Sequence, residues 1–340
     1  MPQRVTLAMV ADKAGMSAAT VSLVLNNRAK ELGISVETQE RVRRAAADLH
    51  YRCNPVARGL RTKRTGMVGV VLPDLTLSFC ADMLQGMEDA AVEAGCGLLV
   101  RTCGRDPQRE EECLDWLYAK HVDAVLLTSF MPAASLPAIR RLNTAGVPVI
   151  LAAGDAKHES TLPWIAIDDE AVARMATSHL IGLGHRRIAH FLVNERRLAG
   201  YRQALADAGI EYAEKLVIGG FADSLDAALE NAAAFFDGPW EGGAITAVYA
   251  GYDLQAAALV GVATRRGIPV PSALSVVGTD GLPFAAMTSP PLTTVDLPKR
   301  AIGIETLRRA MAWLDGQESW QDRLCPGTLL VRGSSAAPRS

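Results

Sequence analysis

Four cations, Arg58, Arg61, Lys63 and Arg64, stand within seven residues of one another and flank a single large apolar side chain, Leu60. Cations at that density offset phosphate charge, and a leucine among them can wedge between base pairs in a DNA minor groove. Asn54 can cap a helix here and Pro55 suits its first position, but only about two turns could follow before Thr62, and so short a helix is marginal alone in water. It orders only against a partner. The same residues also read as a flexible basic linker with an incidental leucine, and by themselves they leave both readings open. Enzymatic chemistry finds no comparable set. Gly182-Leu-Gly-His185 is half of a dinucleotide fingerprint, but no third glycine follows, and the glycines end a helix before a strand. There is no nucleophile elbow, no phosphate-binding loop and no zinc-protease motif, while His179, His185 and His190 lack a metal-ligand spacing and read as satisfied or surface histidines. No cofactor or metal is expected. The six cysteines form no C-x-x-C pair, the nearest two being Cys96 and Cys103, so reduced thiols are expected.

The basic cluster follows a segment built to present a helix. Leu7 to Ala14 reads as one helix with Leu7, Val10, Ala11 and Ala14 on its apolar face, and Gly15-Met16 as a turn. Ser17 then caps a second helix through Val21 and Leu25, and Ser35 caps a third that runs to about His50 with Val42, Ala46 and Leu49 inward and Arg41, Arg43 and Arg44 outward. A helix-turn-helix places its second helix in a DNA major groove. A small three-helix interaction domain with a solvated basic face is the alternative.

Composition supports the division. The 340 residues are 49% hydrophobic and 21% charged, ordinary for a globular chain, and the net charge of -2 argues on its face against nucleic acid. Residues 1–64, however, carry twelve Lys/Arg against five Asp/Glu, leaving -9 on the remainder. A basic head on an acidic body points to a nucleic-acid contact made by one end. No stretch reaches the ~18 apolar residues of a membrane helix and no secretory leader opens the chain, so a cytoplasmic protein with no membrane partner is expected.

After Thr65, short apolar strands alternate with amphipathic helices. Strands are predicted at Met67 to Leu72, Gly97 to Val100, Ala124 to Thr128, Val147 to Leu151, Ile188 to Val193, Ala247 to Ala250 and Ser275 to Gly278. Helices are predicted between them, the last from Arg300 to Leu314. This alternation implies parallel sheets covered on both faces, in two lobes with a ligand cleft at the carboxyl ends of the strands.

Four blocks carry a family likeness: Val5-Thr-Leu-Ala-x-Val-Ala-x-x-Ala-Gly-x-Ser-x-x-Thr-Val-Ser-x-Val-Leu-Asn26, Tyr51-Arg-x-Asn-x-x-Ala-Arg-x-Leu-Arg-Thr62 and, in the body, Leu180-Ile-Gly-Leu-Gly-His-Arg-Arg-Ile188 and Ser289-Pro-Pro-Leu-Thr-Thr-Val295. In this order they resemble the lactose/galactose repressor family of bacterial transcription regulators. The resemblance implies an all-α helix-turn-helix DNA-binding head and an α/β periplasmic-binding-protein-like body of two parallel-sheet lobes. It implies domains at 1–50 (head), 51–65 (hinge helix and linker) and 66–340 (body), with one lobe over about 66–166 and 297–323 and the other over 167–296 and 324–340. The chain would cross between lobes near Ala166 to Asp169, Thr294 to Leu297 and Arg323 to Pro326.

Carried over by position, Ser17, Thr20, Ser22, Asn26 and Tyr51 match phosphate-contacting residues, and Ala18, Ala19 and Leu23 match those facing bases. Thr6, Leu7, Asn54, Ala57, Arg58 and Leu60 complete the DNA-contacting set. Relatives commonly have Arg at the position of Leu23, where it can pair with guanine; leucine offers only apolar contact. Met9 replaces an acid that would complete a capping box with Thr6. In the body the likeness implies an effector cleft lined by Asp74, Phe79, Asp168, Arg197, Phe221, Tyr252, Asp253 and Asp280. Carboxylates, a guanidinium and aromatic rings together suit a polyhydroxylated ligand. Leu77-Ser-Phe-Cys80, Tyr252 and Gly281 depart from the family pattern, and the segment before Arg197 is shorter than usual, so a less sugar-like effector or a lost response is the expected departure. The implied function is a homodimeric repressor binding operator DNA and a small-molecule effector. A solute-binding receptor suits the body but not the head. The closing Ser334-Ser-Ala-Ala-Pro-Arg-Ser340 has no heptads, so no tetramerising tail is expected.

Overall fold

The computed structural model describes residues 5–25, 29, 32–51, 64–76, 78–104, 106–129, 132–153, 162–219, 224–240, 244–317 and 321–339. It divides into two units, Met1–Met67 and Val68–Ser340.

In the first unit, α1 (Leu7–Ala14), α2 (Ala18–Leu25) and α3 (Val36–Asp48) enclose a small core of Val10, Ala11, Ala14, Val21, Val24, Ala29, Val42, Ala45 and Ala46. Local chemistry sets each boundary. Thr6 Oγ1 accepts from Met9 N, so it caps α1 without the acid a capping box would add, and Gly15 ends that helix at φ 63°. Ser17 Oγ accepts from Thr20 N at 3.1 Å and Ser35 Oγ from Thr38 N at 3.3 Å, starting α2 and α3 where the sequence predicts. α3 ends at Asp48 rather than at His50, which has turned to φ 51°.

The second unit is built on two six-stranded sheets. The first contains β1 (Met67–Leu72), β2 (Gly97–Thr102), β3 (Ala124–Leu127), β4 (Val149–Ala152), β5 (Trp164–Ile167) and β11 (Arg323–Cys325), in the order β11-β5-β4-β3-β1-β2. The second contains β6 (Ile188–Phe191), β7 (Val217–Ile218), β8 (Ala247–Ala250), β9 (Ser275–Asp280), β10 (Thr293–Asp296) and β12 (Thr328–Leu330), in the order β12-β10-β9-β8-β6-β7. Pairing is parallel from β1 to β3 and on through β4, β5 and β11, and likewise from β7 through β6, β8 and β9 to β10. β12 runs antiparallel, against β10 with Val295 opposite Leu329. Central strands such as β3 and β8 are buried along their whole length, as sheets covered on both faces require.

The helices of this unit are α4 (Ser78–Ala94), α5 (Pro107–Ala119), α6 (Leu136–Thr144), α7 (Asp169–Gly182), α8 (Glu195–Asp207), α9 (Leu225–Asp237), α10 (Asp253–Arg265) and α11 (Lys299–Leu314). α11 packs on α4 and on β3, β4 and β5, whereas α7 packs on α8 and the second sheet. The chain therefore changes sheet at Asp168, at Leu297-Pro298 and at Pro326-Gly327. Ile167, Leu324 and Cys325 remain in the first sheet, so two of the boundaries expected at 166/167 and 323/324 shift by one or two residues because those residues are still paired. α6, β5, β7, β10, β11 and β12 were not among the predicted elements. The predicted strand from Val147 starts at Val149, since Pro148 has no N–H and offers only its carbonyl, to Val125 N.

Residues 332–336 are woven into the second sheet. Ser334 Oγ accepts from Thr293 N and donates to Val276 O, and Val276 N donates to Ser334 O. Among the described residues no single helix is long and apolar enough to cross a membrane, and five cysteines are free thiols, Cys53 lying outside the described set.

α4 and α11 cross backbone to backbone. A Cβ on Gly303 would overlap the Met83 carbonyl, and one on Gly86 would overlap that of Arg300. Gly303→Ala should therefore destabilise the body by about 1–3 kcal/mol in urea denaturation, since neither contacted backbone atom can yield. Gly182→Ala, where nothing lies within 4 Å of the added methyl, should leave it unchanged or slightly more stable.

Candidate DNA interface and effector cleft

In the head, burial of Val21 and Val24 leaves Ser17, Ala18 and Ala19 exposed and Thr20, Ser22 and Leu23 half-buried on the outward side of α2. That side carries no amide and no charge. Its only hydrogen-bonding side chains are hydroxyls, and those of Ser17 and Thr20 already lie 2.9 Å apart. Bidentate pairing with a base edge is thus beyond α2, and thymine methyls are the contacts its alanine and leucine carbons can make. Arg41, Arg43 and Arg44 are exposed on α3, opposite buried Val42, Ala45 and Ala46. Tyr51 is half-buried with its N–H on Ala46 O, Leu7 packs against the head core, and Thr6 is occupied as a cap. Asn26, Asn54, Ala57, Arg58 and Leu60 lie outside the described residues.

In the body, all three sheet crossings leave from the carboxyl ends of β5, β10 and β11 and are one or two residues long. The carboxyl edges of the two sheets must therefore adjoin, which is where an open α/β sheet holds its ligand. Asp74, Asp168, Arg197 and Tyr252 follow strand ends at this edge, and Asp280 is the last residue of β9. Phe79, in the first turn of α4, is half-buried against the core, and Phe221 lies outside the described residues.

Arg197 is the most elaborated of these residues. Asn194 caps α8 by accepting from Arg197 N at 2.8 Å and donates its amide to Asp169 Oδ2 at 3.0 Å. Arg197 Nε donates to Asp169 Oδ1 at 2.8 Å, Nη1 donates to Gly251 O, and the guanidinium lies 5.7 Å from the centre of the Tyr252 ring. Its side chain is only 5% exposed, and Asp169 provides the countercharge that such burial demands. Asp168, expected in the cleft, accepts from Ala171 N at 3.1 Å as the cap of α7. Asp74 is exposed and accepts from Thr76 N within its own loop.

Asp253, also expected in the cleft, is engaged within the second lobe. It is wholly buried, with Oδ2 accepting from Leu282 N at 2.8 Å and Oδ1 from the Thr294 hydroxyl at 2.5 Å. Both oxygens brace the turn after β9 against β10. Asp280 ends β9 at φ 122°, a region that side-chain-bearing residues rarely adopt and that marks stored strain. Burial holds both carboxyls above the usual carboxylate range, and the Asp253 charge raises Asp280 further against the pull of Arg197 and Lys299.

Several contributors have no signal in sequence. Asp169 was hidden beside Asp168, and Lys299, 6% exposed, reads in sequence as a solvated cation. His190 lies buried in β6 with Tyr201 and Tyr249 stacked on it at 5.1 and 4.7 Å, Nδ1 on Tyr249 O and no partner for Nε2. His179 and His185 are engaged by the chain itself, through Ser335 and through Thr246 with Ala336 O. Buried Glu110 accepts from Ser129 at 3.1 Å beneath the carboxyl end of the first sheet.

Burial holds His190 down at about 4; the Tyr249 carbonyl opposes this and Arg197 adds to it. As pH falls from 6.5 toward 4, the unfolded chain takes up a proton that the folded chain refuses. The stabilisation is present above 6.5 and lost through that window, amounting to about 3 kcal/mol at ~1.4 kcal/mol per pH unit. His190→Phe keeps the ring stack and should flatten the decline in stability between pH 7 and pH 4.5, as measured by urea denaturation.

Known proteins share both parts. Residues 6–54 match the family described as bacterial regulatory proteins, lacI family, and residues 65–330 match periplasmic binding proteins and sugar binding domain of LacI family. The HTH-type transcriptional regulator DegA of Bacillus subtilis (strain 168) is 32% identical over 98% of both chains. Among solved structures, a transcriptional regulator CelR–cellobiose complex matches with TM-score 0.72 and 32% identity over 97% of this chain and all of that one. The lac repressor dimer bound to operator and the anti-inducer ONPF matches with TM-score 0.84 and 25% identity over 98% of this chain and all of that one.

Proposed function

This chain belongs to the lacI family of bacterial regulatory proteins, and from that membership we propose that it is a homodimeric repressor whose grip on operator DNA is set by a small effector held between the two lobes. The observation that carries the reading is the joining of a helix-turn-helix to two sheets whose carboxyl edges adjoin, with Arg197 and Asp280 at that edge. The head (1–50) reads DNA, residues 51–65 form the hinge with Leu60 as wedge, and the body (66–340) senses and dimerises. The lac repressor relative, a dimer on its operator, supports the two-fold arrangement, which would match a pseudo-palindromic site. Cellobiose in the CelR relative supports a sugar or related metabolite as effector. The protein acts in the cytoplasm, where its operator is, and catalyses no reaction.

The bare outward face of α2 sets the operator. Selection of bound sites from random duplexes should return half-sites with thymine or adenine opposite Leu23 and A/T-dependent shape preferences at neighbouring positions. Recovery of a fixed guanine there would refute apolar readout.

A second reading, loss of effector response, draws on Arg197, two of whose five donors are engaged by Asp169 and Gly251 O and whose guanidinium is covered by Tyr252. Thermal melting against sugars, nucleosides and organic acids separates the two. A functioning cleft gains about 2.7 kcal/mol with a ligand at a hundred times its Kd, a shift that Asp280→Asn should reduce; no shift with any compound favours the second reading.

A further inference from the structure

Lys299 is placed against every local preference. It is the first residue of α11, where the helix dipole disfavours a cation, and Pro298 before it supplies no capping side chain. Its ammonium is nevertheless buried, and burial is unfavourable unless acceptors replace water. The acceptors are not on α11. The ammonium donates to the backbone carbonyl of Asp280, to Leu297 O at 3.3 Å and to Asp296 Oδ1 at 3.4 Å. The Asp280 carbonyl also receives Leu297 N, so the second crossing and the lysine converge on one peptide group.

The two ends of this side chain belong to different lobes. The backbone of Lys299 is part of α11, which is locked to α4 by the Gly86 and Gly303 crossing and lies on the first sheet. The ammonium sits on the end of β9, in the second sheet, at the strained residue whose carboxyl is at the cleft. A rigid-body shift of α11 relative to β9 must either carry the Asp280 peptide with it or break this bond.

We propose that Lys299 is a positioning residue: its ammonium holds Asp280 in its strained conformation and ties that conformation to the placement of the first-lobe helix α11. The tether rests on the effector-controlled reading above only for its consequence at DNA; its geometric content stands within the body. With the tether in place one lobe arrangement is favoured, and a group that contacts the Asp280 carboxyl is sensed at α11. Without it, Asp280 relaxes and the lobes sample other arrangements.

The full-length protein tests this without any effector. Spin labels introduced as non-canonical residues at exposed Glu112 in α5 and Glu230 in α9 report the distance between lobes. Lys299→Met, which keeps the stem and removes the ammonium, should shift or broaden the distance distribution, and Lys299→Arg should restore most of the original. Asp296→Asn, at a side chain 45% exposed, weakens the same tether without burying a new group and should broaden the distribution less. It decides the matter if the methionine variant fails to fold. Unchanged distributions in folded variants, whatever their melting temperatures, overturn the tether. Affinity for the selected operator separates the two proposals. A shifted distribution with a change of about fivefold or more supports both, while a shifted distribution with unchanged affinity leaves the tether standing and refutes control of DNA by lobe arrangement.

Discussion

A guanidinium, an ammonium and two carboxyl groups lie nearly without solvent at the carboxyl edge of the second sheet, Arg197 at 4%, Lys299 at 6%, Asp280 at 7% and Asp253 at 0% exposure. Withdrawing each from water costs several kcal/mol, which only close partners offset. That requirement organises the surrounding backbone. Asp169 must begin α7 beside the first turn of α8, the Gly251 carbonyl must point at Arg197, and β10 must lie close enough to β9 for Thr294 to reach Asp253. The strands are apolar enough to form sheets in many registers. The buried charges admit few, because a slip would leave one of them unpaired.

Much of this was legible from local pattern. Thr6, Ser17 and Ser35 announced three helix starts, and β1 and β8 occupy the predicted residues because runs such as Ala247–Ala250 are β-prone and bounded by turns. β10 was not seen because Thr-Thr-Val-Asp has neither an apolar run nor clean alternation; it is a strand because β9 and β12 flank it. α6 is nine residues long with a proline near its start, too short for periodicity to show. In the site, positional likeness pointed to Arg197, Asp253 and Asp280 alike; that both Asp253 oxygens are held by Leu282 N and the Thr294 hydroxyl is visible only in the structure. Lys299 left no local trace: its meaning depends on the end of β9, nineteen residues earlier and beyond the reach of helical or strand periodicity.

The head and the body solve opposite problems with charge. In the head, cations stand exposed on α3 while α2 carries none. In the body, a few charged groups are internal and partnered, and the net charge of -9 after residue 64 leaves its surface unattractive to phosphates. A chain with a near-neutral total can therefore bind DNA by one end only.

The weaving of residues 332–336 into the second sheet bears on how the molecule is made. β11 and β12 complete the two sheets, α11 covers the first, and Ser334 bridges Thr293 N and Val276 O at the start of the β9–β10 pair. β11, β12, α11 and Ser334 all lie between residues 299 and 334. During synthesis both lobes must wait, each with an unpaired edge, until that final stretch has left the ribosome. The nascent body thus carries an incomplete sheet in each lobe until these strands pair, and the two sheets are completed almost together.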